Sequence, residues 1–371
     1  MAIRVCQFIT ELRPAGAERC VLELARRLPA ERFRVQVAAL RGGPVADWLR
    51  AAGVPVHVLN VRGKWDLWRA STLGDILKAE TCDILHTHLF HADVLGRRAA
   101  RRAGIPHVLN TVHVAEQRWR PWQFAWARAA AGGLDRIVCV SQGVRDFHSR
   151  RTGIAQAKYR VIYNGVDAPA YARDESLRQE RRRQWEIPPG DVLCAFVGRL
   201  DKQKGIDVLL AAFEQALAAA ANLQLVIAGE GPLRRRVDRW RQSSPAGRRA
   251  RILGRTEDVR GVLSAADIFC QPSRWEGFCL AAAEAMAAGL PVAATDVAGL
   301  NEVVADEQTG ILCPADDTQA FAAAMVRLAG DSTLRARLGA AGRRRVMEQF
   351  SIERFIQEHA ALYEEIAGTR A

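Results

Sequence analysis

Two carboxylates stand eight residues apart in the segment from Pro272 to Pro291. Glu284 lies in a run of small residues from Leu280 to Ala288 that is otherwise apolar on every side, which predicts a buried helix. Glu276 precedes or begins this helix, so a rise of about 1.5 Å per residue puts the two carboxylates about 12 Å apart. They cannot bind the same atom, but they can bind two hydroxyl-bearing ends of one elongated ligand.

The start of the same helix predicts an anion site. The backbone amides of Gly277, Phe278 and Cys279 suit a negatively charged group, and Leu280 begins the helix behind them. The alternative is structural: Glu276 as a charge at a helix N-terminus and Glu284 as one half of a buried salt bridge. The carboxylate pair alone does not decide between the two.

A second group of charged residues lies between Gly198 and Gly205, directly after the strand predicted for Val192 to Val197. Ligands of open α/β sheets bind beyond the carboxyl ends of strands. Arg199 offers a bidentate fork and Lys204 a point charge, which together suit a diphosphate. A solvated surface loop is the alternative, and the position of Gly198 at the strand end makes it the weaker one.

Three further strand ends carry candidate residues. The first turn contains Gly16 without a GxGxxG pattern, so an NAD enzyme is disfavoured, although the glycine permits close approach of a phosphate. Gly229 and Gly231 form another turn, and they line a nucleotide pocket or simply make the turn tight. His113 follows a strand and is the best histidine candidate, whereas we interpret His86 and His88 as structural.

The elements that position these residues alternate between short hydrophobic strands and amphipathic helices, which is typical of parallel sheets. We predict an N-terminal domain over 1–167, a linker over 168–190 with three consecutive arginines and a Pro-Pro-Gly end, and a C-terminal domain over 191–351. Val161 to Val166 is the last predicted strand of the first domain. A final helix, about 352–371, packs on one of the two domains, and its return to the first is one alternative.

Composition narrows the class of partner. The 371-residue chain has a net charge of +12, which favours an anionic partner, but no zinc-finger, RNP-type or basic-zipper pattern favours nucleic acid. We find no membrane-spanning run, and Met1 to Thr10 is typical of a strand rather than a signal peptide, so we expect a cytoplasmic protein. The eight cysteines are dispersed in apolar segments, as expected of buried, reduced thiols.

In content and order these segments resemble the retaining glycosyltransferases of family GT4, over nearly the whole chain. The family's Gly-Gly-x-Glu turn is similar to Ala15 to Glu18, and its Asn-Gly-Val-Asp to Asn164 to Asp167. Its Gly-Arg-x4-Lys-Gly motif resembles Gly198 to Gly205. Its Glu-x7-Glu signature is matched by Glu276 and Glu284. The resemblance implies the GT-B fold, two Rossmann-like doubly wound domains facing across a central cleft.

The resemblance also implies roles for the candidate residues. Arg199 and Lys204 hold the diphosphate of a nucleotide sugar, Glu276 the transferred sugar, and Glu284 the ribose. Gly16 approaches the diphosphate from the first domain, and His113 lies beside the sugar. The backbone near Thr256 is similar to the loop that recognises the base. No metal or other cofactor is implied.

The implied function is hexosyl transfer from a nucleotide diphosphate sugar, with UDP-sugars favoured and GDP-sugars as the second candidate, to a lipid-linked, polysaccharide or other cell-envelope acceptor. A nucleotide-sugar epimerase of the same fold and a non-catalytic nucleotide-sugar-binding protein are the alternatives. A segment rich in Trp and Arg from Arg118 to Arg128 is suited to a membrane interface or to core packing. Our hypothesis is peripheral attachment to an anionic membrane surface on its inner face.

Overall fold

The chain folds into two compact units, seen here in a computed structural model in which residues 2–61, 63 and 67–368 are described. The first unit comprises Met1–Gly165 and Ile352–Ala371, and the second comprises Val166–Ser351. In sequence, the second unit is therefore inserted between the body of the first unit and its last helix.

The first unit is built on a seven-stranded parallel sheet. Its strands are β1 (Ile3–Glu11), β2 (Phe33–Arg41), β3 (Val56–Val58), β4 (Ile84–His88), β5 (His107–Val112), β6 (Arg136–Cys139) and β7 (Tyr159–Val161). They lie in the order β3-β2-β1-β4-β5-β6-β7. The helices between them are α1 (Gly16–Arg27), α2 (Pro44–Ala51), α3 (Leu67–Ala79), α4 (Phe90–Ala103), α5 (Pro121–Ala130) and α6 (Gln142–Thr152).

The second unit has a six-stranded parallel sheet. Its strands are β8 (Val192–Val197), β9 (Leu223–Ala228), β10 (Ala250–Gly254), β11 (Ile268–Gln271), β12 (Val292–Thr295) and β13 (Gly310–Cys313), in the order β10-β9-β8-β11-β12-β13. Its helices are α7 (Glu175–Gln184), α8 (Ile206–Ala219), α9 (Arg234–Ser243), α10 (Val259–Ala265), α11 (Leu280–Ala287), α12 (Leu300–Val303), α13 (Thr318–Gly330) and α14 (Ser332–Gln349). The last helix, α15 (Ile352–Gly368), belongs to the first unit.

The hydrophobic runs of the sequence form these sheets because helices cover both faces of each one. All six residues of β9 are buried, as are all four of β11 and all five of β4. Parallel pairing through crossover helices puts every strand's carboxyl end at the same edge of its sheet. The prediction of two doubly wound α/β domains is confirmed.

The predicted linker is wrong. Residues 168–190 form a 3-10 helix, Ala168–Tyr171, and then α7, and both belong to the second unit. Three of the four arginines of α7 form ion pairs, and the fourth, Arg183, is exposed. Arg178 and Arg182 donate to the two carboxylate oxygens of Asp267 at 2.7 and 2.9 Å.

The first unit differs from prediction at one place. The strand expected over Val161 to Val166 ends at Val161, because the chain turns away to bury Asn164, whose Oδ1 accepts a hydrogen bond from the Cys20 thiol at 3.1 Å. The final helix α15 starts and ends close to the predicted bounds, and residues 369–371 lie outside the described residues.

Two expectations from composition can be compared with the structure. All eight cysteines are buried free thiols, as predicted. None of the helices in the described ranges is long and apolar enough to cross a membrane.

Candidate functional site

Each sheet has one point where the strand order reverses, between β1 and β4 in the first unit and between β8 and β11 in the second. Ligands of open α/β sheets bind outside the carboxyl ends of strands at such a point. The loops that leave β8 and β11 contain most of the candidate residues of the second unit. The turn after β1 and the end of β4 occupy the equivalent place in the first.

The loops after β8 and β9 are held together by their backbones. The amide of Leu200 donates to the carbonyl of Glu230 at 2.9 Å. Gly229 has a φ of +155°, and a Cβ there would lie 1.8 Å from the carbonyl oxygen of Gly198. A Cβ at Gly231 would lie 2.5 Å from the carbonyl oxygen of Leu200. The three candidate glycines therefore lie together, and this close approach requires glycine at 229.

Lys204 and Glu276 form a buried ion pair between the loops after β8 and β11. The Nζ–Oε1 distance is 2.6 Å, and the side chains are 22% and 5% exposed. The hydroxyl of Ser273 donates to the same carboxylate oxygen at 2.7 Å. Burial lowers the pKa of Lys204, but the charge and hydrogen bond of Glu276 together with the neighbouring Asp201 and Cys279 raise it, and the net effect is a raised pKa. Lys204 is therefore a fixed positive charge.

The backbone around Lys204 fixes the position of this charge. Its amide donates to Oδ1 of Asp201 at 3.0 Å. Gly205 follows with a φ of +65°, and a Cβ there would lie 1.8 Å from the carbonyl oxygen of Pro272. The loops after β8 and β11 are thus in direct contact at their bases.

Arg199 lies at the open end of the same loop. Its side chain is 54% exposed, and its guanidinium forms an ion pair with Asp201, which is 11% exposed. Because Asp201 also accepts the amide of Lys204, this carboxylate links the two basic residues. An anion that binds Arg199 bidentately competes with Asp201 for the guanidinium.

The N-terminus of α11 follows Glu276 closely. Cys279 has a φ of +68°, a conformation that costs free energy in a non-glycine residue and is found most often at functional sites. The carbonyl of Gly277 is approached by Gly299, where a Cβ would lie 2.1 Å away. Phe278 is buried, with its ring 5.2 Å from that of Phe350. This packing fixes the first turn of α11, in which the amides of Ala282 and Ala283 donate to the carbonyl of Cys279 at 3.1 and 3.3 Å.

Glu284 lies one turn further along α11 and is buried. Its Oε1 accepts a hydrogen bond from the hydroxyl of Tyr171 at 3.0 Å. Tyr171 belongs to the segment that we predicted to be a linker, so the sequence did not indicate this partner. This hydrogen bond orients the carboxylate of Glu284.

Two polar residues flank the second-unit site. Thr256 lies beyond β10, where its hydroxyl accepts the amide of Asp258 at 3.0 Å, and it is half-buried. Gln271 ends β11 and is fully buried, and its Nε2 donates to Ser273 at 2.7 Å. Its Oε1 has no hydrogen-bond partner among the described residues, which makes it a buried acceptor beside the Glu276 cluster.

In the first unit, Gly16 is the first residue of α1 and is exposed. Ala15 before it is extended, so the amides of the first turn are open to an anion. Glu18 in this turn is buried, and desolvation raises its pKa to about 7. Glu18 lies in the segment that is similar to the family's Gly-Gly-x-Glu turn, but the sequence alone did not predict a role for it.

His113 directly follows β5. Its Nε2 lies 2.9 Å from Nδ1 of His88, whose Nε2 lies 2.8 Å from Oε1 of Gln7. Burial lowers the pKa of His113 to about 3 and that of His88 well below its usual value. His113 also lines a small cavity together with Cys20 and His359.

The sequence matches two family models. Residues 14–168 match the model described as Glycosyltransferase Family 4, and residues 178–345 match that of Glycosyl transferases group 1. An alpha-maltose-1-phosphate synthase of Mycolicibacterium smegmatis is 30% identical over 330 residues, which cover 81% of this chain and 83% of that protein. The chain belongs to glycosyltransferase family 4.

This glycosyltransferase has other relatives of comparable length. A UDP-Gal:alpha-D-GlcNAc-diphosphoundecaprenol alpha-1,3-galactosyltransferase of Escherichia coli is 28% identical over 362 residues, covering 94% of this chain and 93% of the other. The crystal structure of Anabaena HepE in complex with UDP-glucose has a TM-score of 0.89 at 20% identity and covers 98% of this chain and 100% of that one. WaaG, a glycosyltransferase involved in lipopolysaccharide biosynthesis, has a TM-score of 0.75 at 15% identity, covering 97% and 99%. The fold is GT-B, as predicted.

Within the second unit, this glycosyltransferase brings most of its sequence-predicted residues together. Direct contacts join the loop of Gly198, Arg199 and Lys204 to Gly229 and Gly231 on one side, and to Glu276 on the other. Gly277 to Leu280 continue the chain from Glu276, and Glu284 follows on the same helix. Thr256 follows Gly254 by two residues, and the carbonyl of Gly254 accepts a hydrogen bond from the amide of Gly229 at 2.7 Å. The loop of Thr256 is therefore joined to the loop of Gly229.

Proposed function

We propose that this glycosyltransferase transfers a hexosyl group, with retention at the anomeric carbon, from a UDP-sugar to a lipid-linked or other cell-envelope acceptor. A GDP-sugar is the second candidate donor. The enzyme is a family 4 glycosyltransferase that uses a nucleotide sugar, and the observation that supports the proposal most strongly is the buried Lys204–Glu276 pair at the β8/β11 switch point.

The donor diphosphate is assigned to the charges and amides of the second unit. Lys204 is held protonated and part-buried, and Arg199 is exposed enough to exchange Asp201 for a phosphate. The amides of the first turn of α11 add the partial positive charge of a helix N-terminus. Fixed charges of this kind stabilise the negative charge that develops when the bond from the anomeric carbon to the diphosphate breaks. We assign the first turn of α1, at Gly16, to the same diphosphate.

The sugar and ribose are assigned to the two carboxylates. Glu276 keeps oxygen lone pairs beyond those that bind Lys204 and Ser273, and these suit hydroxyls of the hexose. Glu284, oriented by Tyr171, suits the ribose hydroxyls. His113 is assigned to the transferred sugar and the loop of Thr256 to the base. In the transfer, the acceptor oxygen forms the new bond to the anomeric carbon, and its proton leaves with the diphosphate.

A lipid-linked acceptor is supported by the similarity to the Escherichia coli galactosyltransferase, whose acceptor is a diphosphoundecaprenol-linked sugar and whose donor is UDP-galactose. The similarity extends over nearly the whole of both chains. The UDP-glucose bound to HepE supports uracil as the base.

Attachment to an anionic membrane surface is supported by the distribution of charge. Residues 1–165 and 352–371 carry 28 Lys and Arg against 17 Asp and Glu, whereas residues 166–351 carry 25 against 24. Nearly all of the excess positive charge thus belongs to the first unit. In that unit the ring of Phe90 contacts Trp119, Trp122 and Trp126 edge-on, and Trp122 is 57% exposed. Exposed Trp near basic residues is typical of membrane interfaces.

Calorimetric titration with a panel of UDP- and GDP-sugars tests the donor assignment. We expect one UDP-sugar to bind, Lys204→Ala to weaken it at least about tenfold, and Lys202→Ala to bind like the wild type. Lys202 is the matched control because it lies in the same loop and is exposed. Absence of binding by every nucleotide sugar, or equal binding by Lys204→Ala, would contradict the assignment.

Product analysis separates transfer from epimerisation. Incubation of the bound donor with polyprenyl-diphosphate-linked sugars should give UDP and an α-linked product in equal amounts, starting from an α-linked donor. An epimerase would instead convert the donor sugar without an acceptor.

Co-sedimentation with lipid vesicles tests the membrane proposal. We expect the protein to sediment with vesicles that contain anionic lipid at low salt, and not to sediment with neutral vesicles. Indifference to both kinds of vesicle would reject attachment.

A further inference from the structure

A continuous line of hydrogen-bonded side chains runs through the interior of the first unit and ends at His113. The members in order are His113, His88, Gln7, Tyr363, His86 and Thr111, with successive distances of 2.9, 2.8, 2.8, 2.7 and 2.6 Å. They come from β1, β4, β5, the residue after β5, and α15. All are buried except His113, which is half-buried.

The three histidines of this line are neutral. Burial lowers the pKa of each of them far below neutrality. A neutral imidazole has one N–H donor and one lone-pair acceptor, so the role of one ring nitrogen fixes the role of the other. A hydrogen bond at one end of the line therefore determines the donor and acceptor of every member beyond it.

Gln7 is the member that gives the line its direction, because its two ends are different. Its Oε1 faces His88 and can only accept, so Nε2 of His88 carries the proton and Nδ1 of His88 accepts from Nε2–H of His113. Its Nε2 faces Tyr363 and can only donate, so the Tyr363 hydroxyl donates to Nδ1 of His86. Turning the amide over would reverse every bond in the line and move the proton of His113 to Nδ1.

We propose that Gln7 and Tyr363 are positioning residues that hold His113 in its Nε2–H tautomer, with Nδ1 left as its acceptor. This inference rests on the proposed function, in which His113 contacts the transferred sugar. Neither residue touches the substrate. The Tyr363 hydroxyl holds the Gln7 amide by accepting from its Nε2, the amide oxygen of Gln7 sets the tautomer of His88, and His88 sets that of His113. The last helix of the chain thereby contributes to the site through a line of four side chains.

The test compares two buried tyrosines that each bond Nδ1 of a histidine. Tyr363→Phe interrupts the line, while Tyr159→Phe removes the corresponding hydroxyl from His148, at 2.8 Å, outside it. Each variant is labelled with ¹⁵N-histidine and the tautomer of His113 is read from its nitrogen shifts, assigned with His113→Gln. Turnover of the donor is measured as UDP release. Gln7→Met, which removes the amide with little change in volume, gives a second interruption.

We expect a single Nε2–H tautomer of His113 in the wild type and in Tyr159→Phe, and a mixture of tautomers in Tyr363→Phe and Gln7→Met. The kcat of the two interrupted variants should fall about tenfold, with less than about twofold change in the donor KM. A pure Nε2–H tautomer in both interrupted variants, or an equal loss of kcat in Tyr159→Phe, would overturn the inference.

The proposed role of His113 can fail separately. If His113→Gln turns over like the wild type, then His113 does not act on the sugar, and a tautomer shift in Tyr363→Phe still establishes the line as a unit. If His113→Gln is inactive but no tautomer shift occurs, the role of His113 stands and the positioning by Gln7 and Tyr363 is refuted.

Discussion

Replacement of Lys204 by methionine separates what the Lys204–Glu276 pair does for folding from what it does for the donor. Methionine preserves most of the aliphatic stem but leaves the carboxylate of Glu276 buried without its counter-charge. Loss of one partner of a buried pair costs about 3–5 kcal/mol. Because Lys204 is 22% exposed and Ser273 still donates to Glu276, we expect a cost somewhat below this range, about 2–3 kcal/mol.

The second variant is Lys204→Met combined with Glu276→Gln, which removes the buried charge and keeps an acceptor for Ser273. For a unit of this size, about 2–3 kcal/mol lowers Tm by about 5–10 °C. We expect Lys204→Met to show this drop and the double variant to recover at least half of it. Donor binding, measured by calorimetry, should be lost in both, since neither carries the ammonium.

If the double variant is less stable than Lys204→Met, the cost does not come from an uncompensated carboxylate, and Lys204 and Glu276 do not stabilise each other electrostatically. Lys202→Met, in the same loop but exposed, should leave both Tm and donor binding unchanged.

Three further predictions concern single residues. Gly229→Ala should lower the free energy of unfolding by more than about 3 kcal/mol, because its Cβ would meet a backbone oxygen at 1.8 Å. Gly289→Ala, at a φ of +78° with nothing within 4 Å, should cost only about 1–2 kcal/mol in urea unfolding. Burial raises the pKa of Glu18 from 4.5 to about 7, so the folded wild type loses stability as pH rises from about 4.5 to 7. Glu18→Gln should therefore equal the wild type at pH 4.5 and exceed it by about 3 kcal/mol at pH 8, and equal stabilities at pH 8 would contradict the shift. Tyr171→Phe removes the donor that orients Glu284 and should weaken UDP binding about fivefold in calorimetry, with no effect if Glu284 does not bind the ribose.

The sheets were predictable from the sequence because parallel strands buried on both faces appear as short, nearly continuous apolar runs. The strand Val192–Val197 has the bounds that the sequence predicts. The glycines and polar residues after these strands mark the carboxyl edge, where the candidate residues lie. Local sequence therefore indicated which residues belong near the site.

The partners of those residues were not predictable, because they are distant in sequence. Lys204 and Glu276 are 72 residues apart, and Tyr171 and Glu284 are 113 apart. The error over residues 168–190 has the same cause. A run of arginines is typical of a solvated segment, and only the fold shows that Asp267, more than 80 residues away, neutralises two of the arginines of α7.

The two units supply different chemistry to the proposed reaction. The second unit offers permanent charges in Lys204 and Arg199, whereas His113 is surrounded by Cys20 of α1, His88 of β4 and His359 of α15, and burial lowers its pKa to about 3. At pH 7 only about one free enzyme molecule in 10⁴ carries a proton on both nitrogens of His113. We therefore expect His113 to act in the proposed reaction as a neutral hydrogen-bonding group with a fixed direction.

This assignment predicts the pH dependence of kcat/KM, which reports groups in the free enzyme. Between pH 5 and 8 the His113 imidazole stays neutral, so it should contribute no inflection, and the profile of His113→Gln should parallel that of the wild type at a lower level. An inflection near pH 6.5 that disappears in His113→Gln would show that the imidazole titrates in the active enzyme. Acid catalysis would then replace the neutral role: the imidazolium would donate its proton to the leaving diphosphate, and the imidazole left behind would take the proton of the acceptor oxygen.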